Sequence, residues 1–332
     1  MYLRHFGLEN SPFSLTPDPR FLFLTAKHRE ALAALLFAVT ERKGFMVVTG
    51  DAGTGKTTLV RKLLLSIPVT CAQFSVIVNP ALTRSEFLES VIMDFGECNI
   101  PPSKALRLAL FQKLLLRAHE EGKTSVLVID EAHLLTGELI EEVRLLSNIE
   151  TSEQKLLQII LIGQNELNRL LSLESLRQVK QRIAIRMHIN PLAEPEVKRY
   201  LQTRWNRART QQSLPFSEDA IGLIARSSEG IPRVINVICD AALVNAYGGG
   251  IRGIGVAQIE EVLTDLGIAT VSHSLRLGAT DGPVAPSTGA QSIDRAPDRS
   301  VVTPGSPDRY FIDKPKEPKF WKIGHWFGTV HN

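Results

Sequence analysis

The 332-residue chain has only three cysteines, Cys71, Cys98 and Cys239, far apart and with no CxxC pair. That scarcity excludes a disulfide framework and a structural zinc site, and fits reduced thiols in a cytosolic protein. Long apolar runs are missing too. The longest, over 31–39, lies between His28-Arg29-Glu30 and Glu41-Arg42-Lys43; a bilayer span takes about 20 residues. The first residues carry no apolar block of the signal-peptide kind, so neither an integral membrane protein nor a secreted one is expected. Net charge is also scarce: 38 basic residues face 35 acidic ones, leaving +3. A nucleic-acid partner can be argued only from local clusters. What remains, 44% hydrophobic and 22% charged residues, is ordinary globular composition. The length suggests two domains, or one with appendages, with core enough to need no staple.

Pro and Phe are dense over 1–25, which reads as an ordered extended segment packing on the adjoining core domain. The spacing predicts a helix over 26–42, ended by Lys43-Gly44. Short apolar runs at 45–49, 73–78, 125–129, 156–162 and 183–189 read as buried strands. Helical periodicity fills the gaps, notably over 103–120 and 138–149. Strands alternating with helices imply a parallel sheet covered on both faces. From 194 to 266 the pattern holds four helices (about 194–208, 217–227, 232–246, 255–266) and no strand. Ser217 and Pro232 mark two of the helix starts. The expected domains are a core over 26–191, a helical lid over 192–268, a disordered Ser/Thr/Pro/Gly linker over 269–309 and a basic aromatic tail over 310–332.

Gly50-Asp51-Ala52-Gly53-Thr54-Gly55-Lys56-Thr57 matches GxxxxGK[ST]. It follows an apolar strand and opens a helix, the context this phosphate-binding loop requires. Gly53 and Gly55 let the backbone N–H groups wrap phosphate. Lys56 would meet the β- and γ-phosphates, and Thr57 would hold Mg²⁺; Gly50 through Thr58 make up the nucleotide cradle. At the end of the 125–129 strand stand Asp130 and Glu131. Two carboxylates at that edge are costly without a cation or water, and ligands bind there in parallel sheets. Asp130 would order the metal and Glu131 polarise the attacking water; the bland alternative for Glu131 is first-turn helix charge. Asp130-Glu131-Ala132-His133 resembles a helicase tetrapeptide, but no other helicase signature accompanies it, so His133 counts as a coincidence. No NKxD guanine-reading motif is present, which favours ATP over GTP.

The chain resembles the AAA+ ATPases of the ExeA type, over roughly 1–268. The resemblance rests on Phe6-Gly7-Leu8, Pro12 through Phe21, His28 through Leu32, Arg42 through Phe45, Gly50 through Thr58, Val128 through His133, Ile162 through Leu167, Leu176-Arg177-Gln178, Gln181-Arg182-Ile183, and Gly230-Ile231-Pro232-Arg233 with Asn236. It implies an α/β P-loop fold with a five-stranded parallel sheet of order 5-1-4-3-2 and a helical lid. It also implies roles: Gln164 as γ-phosphate sensor, Arg233 as a second sensor on the lid, and Asp18 through Phe23 with His28 along the adenine pocket. A surface helix arginine is the plainer reading of Arg233. The family often has Pro where Asn165 stands, a departure expected to touch the turn and not the chemistry. ExeA-type proteins often continue into a transmembrane helix and a peptidoglycan-binding domain; neither is visible here, so a cell-wall role is not carried over.

Nine basic residues lie between Arg177 and Arg209 (Arg177, Lys180, Arg182, Arg186, Lys198, Arg199, Arg204, Arg207 and Arg209), opposed only by Glu194 and Glu196. A solvated face, an arginine finger completing a neighbour's site, and a nucleic-acid track all fit. Arg182, slightly ahead of Arg177, is the finger candidate; Arg199 through Arg209 read as solvated. A finger has no use within its own subunit, so a nucleotide-dependent ring or filament is expected. In the tail, Arg309, Lys314, Lys316, Lys319 and Lys322 interleave with Tyr310, Phe311, Phe320, Trp321, Trp326 and Phe327. That mix suits an anionic inner-membrane surface, a partner protein, or packing back on the body. The expected protein is a cytoplasmic ATPase, peripheral at the inner membrane if the tail meets lipid. Its role would be an oligomeric switch for an envelope-associated secretion or polysaccharide system, or else a DNA-associated regulator like the transposition accessory ATPases, or a binding module whose ATP is structural.

Overall fold

A computed structural model describes residues 1–16, 18–208 and 212–268. The linker and tail expected over 269–309 and 310–332, and Arg209, lie outside the described residues. The five apolar runs form five strands: β1 Phe45–Gly50, β2 Ala72–Ile77, β3 Thr124–Ile129, β4 Leu157–Gly163 and β5 Ile183–Ile189. All pair parallel, in the order β2-β3-β4-β1-β5, the expected 5-1-4-3-2 seen from the other edge. β1 and β4 are buried at every position, which is why they read as near-continuous apolar runs rather than alternating ones. The edge strand β5 corrects the expectation of a sheet covered on both faces. Its Ala184, Arg186 and His188 are exposed, and the alternation Ile-Ala-Ile-Arg-Met-His-Ile fits a strand with one open face.

Before and between the strands run α1 Tyr2–His5, α2 Ala26–Thr40, α3 Lys56–Ser66, α4 Arg84–Asp94, α5 Lys104–Glu120, α6 Gly137–Leu146, α7 Asn165–Leu170 and α8 Arg177–Lys180. After β5 come α9 Glu194–Arg207, α10 Glu218–Ser227, α11 Pro232–Gly248 and α12 Val256–Asp265. Hydroxyls cap several starts: Thr25, Thr83, Thr136 and Ser217 each accept an N–H of the first turn, a contribution of about 1 kcal/mol apiece. Pro232 opens α11, where its missing N–H costs nothing.

Two hydrophobic clusters result. One surrounds the sheet, with Phe45, Leu127, Ile129 and Ile159 against Phe87 and Phe111. The other lies among α9–α12, with Trp205, Ile235, Leu243 and Ile259, and Leu192 already belongs to it. The N-terminal segment joins this second cluster, not the sheet: Phe6, Leu8, Phe13 and Phe21 are buried there. Its 3-10 turn at Pro19–Phe21 also lies beside α3 of the expected core, and the segment is not wholly extended, since α1 and that turn lie within it, yet most of its buried aromatics join the α9–α12 cluster. Arginine is the reason. Arg204 donates from Nε to Pro12 O at 2.5 Å and from Nη2 to Ser14 O at 3.4 Å. Arg207 donates from Nη1 to Arg20 O and Leu22 O at 3.0 and 2.7 Å. Arg204, 8% exposed, is not the solvated lid arginine expected, whereas Arg207 is exposed while holding two carbonyls.

Candidate functional site

The phosphate loop leaves β1 at Gly50 and turns back into α3 at Lys56. Gly53 holds φ +81, and a Cβ there would stand 2.7 Å from Arg233 Cβ. Only glycine permits the backbone bend and the close approach of α11 together. The Arg233 N–H donates to Gly53 O at 3.3 Å, so the lid's sensor candidate starts its helix directly against the loop.

Lys56 is 8% exposed. Burial lowers its affinity for a proton, opposed by the nearby Glu131, Asp130 and Asp51. Its Nζ donates to Asp51 O at 2.8 Å. Thr57 Oγ1 donates to Asp130 Oδ2 at 2.8 Å, joining the start of α3 to the end of β3. Burial raises the Asp130 pKa, opposed by the Thr57 hydroxyl and the Glu131 N–H on Oδ1 at 3.0 Å. Glu131 points outward, its side chain 48% exposed, on a residue with φ +49. Gln164 follows β4. Next to it, Asn165 Nδ2 donates to Asp51 Oδ1 at 2.7 Å. The departure at Asn165 thus reaches the phosphate loop, which corrects the expectation that it concerns the turn alone.

A cavity of about 500 Å³ opens above the loop. Ala52 through Thr58 line it with Glu131, Gln164 and Arg233, together with Asp18, Phe21, Leu22, Phe23 and His28. His28 is buried, its Nδ1 2.8 Å from Thr25 Oγ1. Burial lowers its pKa, opposed by a hydrogen bond to the Thr54 backbone. Of the positions singled out for the adenine pocket, Asp18, Phe21, Leu22, Phe23 and His28 border the cavity, and Arg20 is not among its lining. Arg177 and Arg182 do not. Arg182 is half-buried and donates to Ser147 Oγ at 3.1 Å, whereas Arg177 is exposed. The cavity also touches Tyr200 and Asn236, joined by a 2.8 Å hydrogen bond. Tyr200 was not singled out in the sequence; Asn236 stood in the family resemblance without a role.

The residues fit a nucleotide and its metal. A buried ammonium and a bare glycine-rich backbone suit polyphosphate. Among the described residues no cluster of three His, Cys, Asp or Glu forms a metal cage. A threonine and an aspartate alone suit Mg²⁺, which keeps water and borrows phosphate oxygens.

Residues 39–171 match the family described as an AAA domain. Over 255 residues the chain is 42% identical to general secretion pathway protein A of Aeromonas hydrophila, a match covering 75% of this chain and 46% of that protein. The chain belongs to the AAA+ proteins of this type. It spans about half the length of that curated relative. Solved structures similar to this AAA+ chain include the ORC2 protein of Aeropyrum pernix in ADPNP–ADP complexes, with 16% identity, TM-score 0.60, and coverage of 77% of this chain and 71% of that one. Another is Cdc6p of Pyrobaculum aerophilum, at 18%, TM-score 0.60 and 77% and 70% coverage. Drosophila ORC bound to DNA comes next at 20%, TM-score 0.60, and 78% and 65% coverage. These likenesses concern the fold. Among the described residues of this AAA+ chain no helix is long and apolar enough to cross a membrane.

Proposed function

We propose that the chain binds ATP with Mg²⁺ in the cavity above the phosphate loop and hydrolyses it slowly. The observation that carries this is the Thr57–Asp130 hydrogen bond at 2.8 Å beside buried Lys56, the arrangement of a loop threonine and a strand-end aspartate around one cation. Gly50 through Thr58 hold the phosphates by backbone N–H groups and Lys56. Thr57 and Asp130 hold the metal, which when bound neutralises charge on the transferring phosphoryl group. Glu131 takes a proton from the water that attacks the γ-phosphorus in line; the bond to the bridging oxygen breaks and ADP departs. Gln164 and Arg233 border the γ-phosphate end and report its presence to sheet and lid. Arg177, exposed while Arg182 is held by Ser147, is the finger offered to a neighbouring subunit in a ring or filament. With a relative of the general secretion pathway, the cycle serves as a switch for an envelope-associated secretion or polysaccharide export system. The reading as a DNA-associated regulator loses part of its basic track, since Arg204 and Arg207 direct their N–H groups to backbone carbonyls.

Lys56→Ala should abolish ATP binding, measured with a fluorescent analogue. Glu131→Gln should bind ATP at near wild-type affinity and lose turnover by at least 100-fold. Full hydrolysis by Glu131→Gln would overturn the assignment of the base. Wild-type binding without any turnover would make the nucleotide structural.

A further inference from the structure

The ends of β3 and β4 are bridged by a side chain that the ATPase reading leaves idle. His133 sits in the 3-10 turn Ala132–Leu134 that comes after Glu131. Its Nδ1 is 3.4 Å from Glu131 Oε2, and its Nε2 is 3.4 Å from Gln164 Nε2. The side chain is 12% exposed. Nδ1 itself is buried and has no hydrogen-bond partner of proper geometry. The turn reaches β4 this closely because of Gly163, where a Cβ would meet Leu167 Cδ2 at 2.9 Å and the His133 backbone N at 3.2 Å.

Chemistry fixes the direction of the bridge. Gln164 presents its amide NH₂, a donor, so His133 Nε2 accepts. In the neutral imidazole the proton then lies on Nδ1, which faces a carboxylate. The opposite arrangement would set a bare Nδ1 lone pair against Glu131. A buried N–H without an acceptor is costly, and a small rotation of the exposed Glu131 side chain supplies the acceptor. Hydrogen bonds of this kind are often long in a site without substrate and tighten when it binds.

We propose that His133 is a positioning residue for hydrolysis: it orients Glu131 through Nδ1–H and links it to Gln164 through Nε2. This rests on the ATPase reading above. Gln164, the sensor of that reading, and Glu131, its base, both line the cavity. A shift of the Gln164 amide toward phosphate therefore loosens its hold on the imidazole and changes how firmly Glu131 is aimed. A misaim of about 1 Å costs on the order of 100-fold in rate. The bridge makes the sensor and the base one unit.

The test uses the full chain. His133→Ala should lower kcat roughly 10- to 100-fold with the affinity for a non-hydrolysable ATP analogue unchanged within about twofold. Gln164→Ala should lower it similarly, and the double variant should lose no more than the worse single one, because residues acting as a unit are not additive. His133→Asn, which keeps a donor near Nδ1, should recover part of kcat. A second readout needs no turnover: nitrogen NMR of the histidines, at a pH where the imidazole is neutral, should place the His133 proton on Nδ1 and lose that preference in Gln164→Leu. A proton on Nε2 in the wild type overturns the proposal. So do additive losses, or a His133→Ala enzyme as fast as wild type while Glu131→Gln is inactive. If Glu131→Gln stays active, it is the assignment of Glu131 as the base that fails instead.

Discussion

Glu131 occupies the left-handed backbone region at φ +49, where a side chain costs about 1–2 kcal/mol. Such strain persists only where the surroundings impose it, and it gathers at functional sites. Here the chain must leave a buried strand, keep Asp130 inward on Thr57, and turn the next carboxylate out toward the cavity within one residue. A second residue-scale device is Asp51, a carboxylate inside a loop shaped for polyphosphate. Asn165 restrains it at 2.7 Å, and Lys56 and Thr54 donate to its carbonyl. Releasing that carboxylate would let it swing toward the phosphates. Asn165→Ala should weaken ATP binding about 3- to 10-fold, equivalent to about 1 kcal/mol. The loss should vanish when Asp51→Asn is added, since the amide carries no charge to repel phosphate. Equal losses in both backgrounds would mean that the tether acts on the fold of the turn and not on the charge. Neither the tether nor the His133 bridge could be read from the letters. Both are contacts across more than thirty residues, made because strand ends converge, and the same letters occur in unrelated turns.

Among the elements, each strand lies within one residue of its apolar run; β1 and β4, buried at every position, must be largely apolar, and even the one-sided β5 keeps its apolar residues in alternation. The four helices after β5 were equally legible from period and caps. The phosphate loop and the acidic pair were legible because strand-to-helix context confirms the motif. The strand order came from the family resemblance, not from local pattern. What the sequence left undecided was the seat of the aromatic N-terminal segment. Its Phe residues demand an apolar partner, and two such clusters exist. The choice falls to Arg204, whose guanidinium also lies 5.2 Å from the Phe21 ring centroid and 5.5 Å from that of Tyr200. Arg204→Ala should remove both ring contacts and orphan the Pro12 and Ser14 carbonyls. The expected destabilisation is about 2–4 kcal/mol, seen as a Tm lowered by several degrees. Nucleotide affinity should fall with it, since Phe21 and Phe23 of that segment line the cavity. Arg199→Ala, at an exposed position, should leave both unchanged. An Arg204→Ala protein with wild-type Tm would show that the hydrophobic cluster alone seats the segment.

At the scale of the whole molecule, the cavity is closed by parts of two clusters. The loop and the acidic pair belong to the sheet, while Arg233, Tyr200 and the N-terminal segment belong to the helical region. Nucleotide between them would couple its own state to their relative angle, a hinge of the ordinary kind. One component is missing from a single subunit. No exposed arginine of the segment before β5 reaches the cavity of its own chain: Arg182 is held by Ser147, and Arg177 is exposed away from it. If Arg177 serves a neighbour's phosphate, the contact is heterologous, and such contacts propagate into rings or filaments. Mixing then separates the two roles. Glu131→Gln subunits have a dead site and an intact arginine; Arg177→Ala subunits have an intact site and no arginine to offer. Each alone should be nearly inactive, with a finger contributing about 10³-fold or more. Mixed in equal amounts with ATP, some contacts will join an intact Glu131 site to an intact Arg177. Hydrolysis should recover to about a quarter of the wild-type rate, the share of such contacts under random assembly with one arginine per site. Recovery must also depend on protein concentration, since it needs association. An Arg177→Ala protein with full activity, or a mixture no faster than its components at concentrations where sedimentation shows assembly, would exclude Arg177 from acting across the interface.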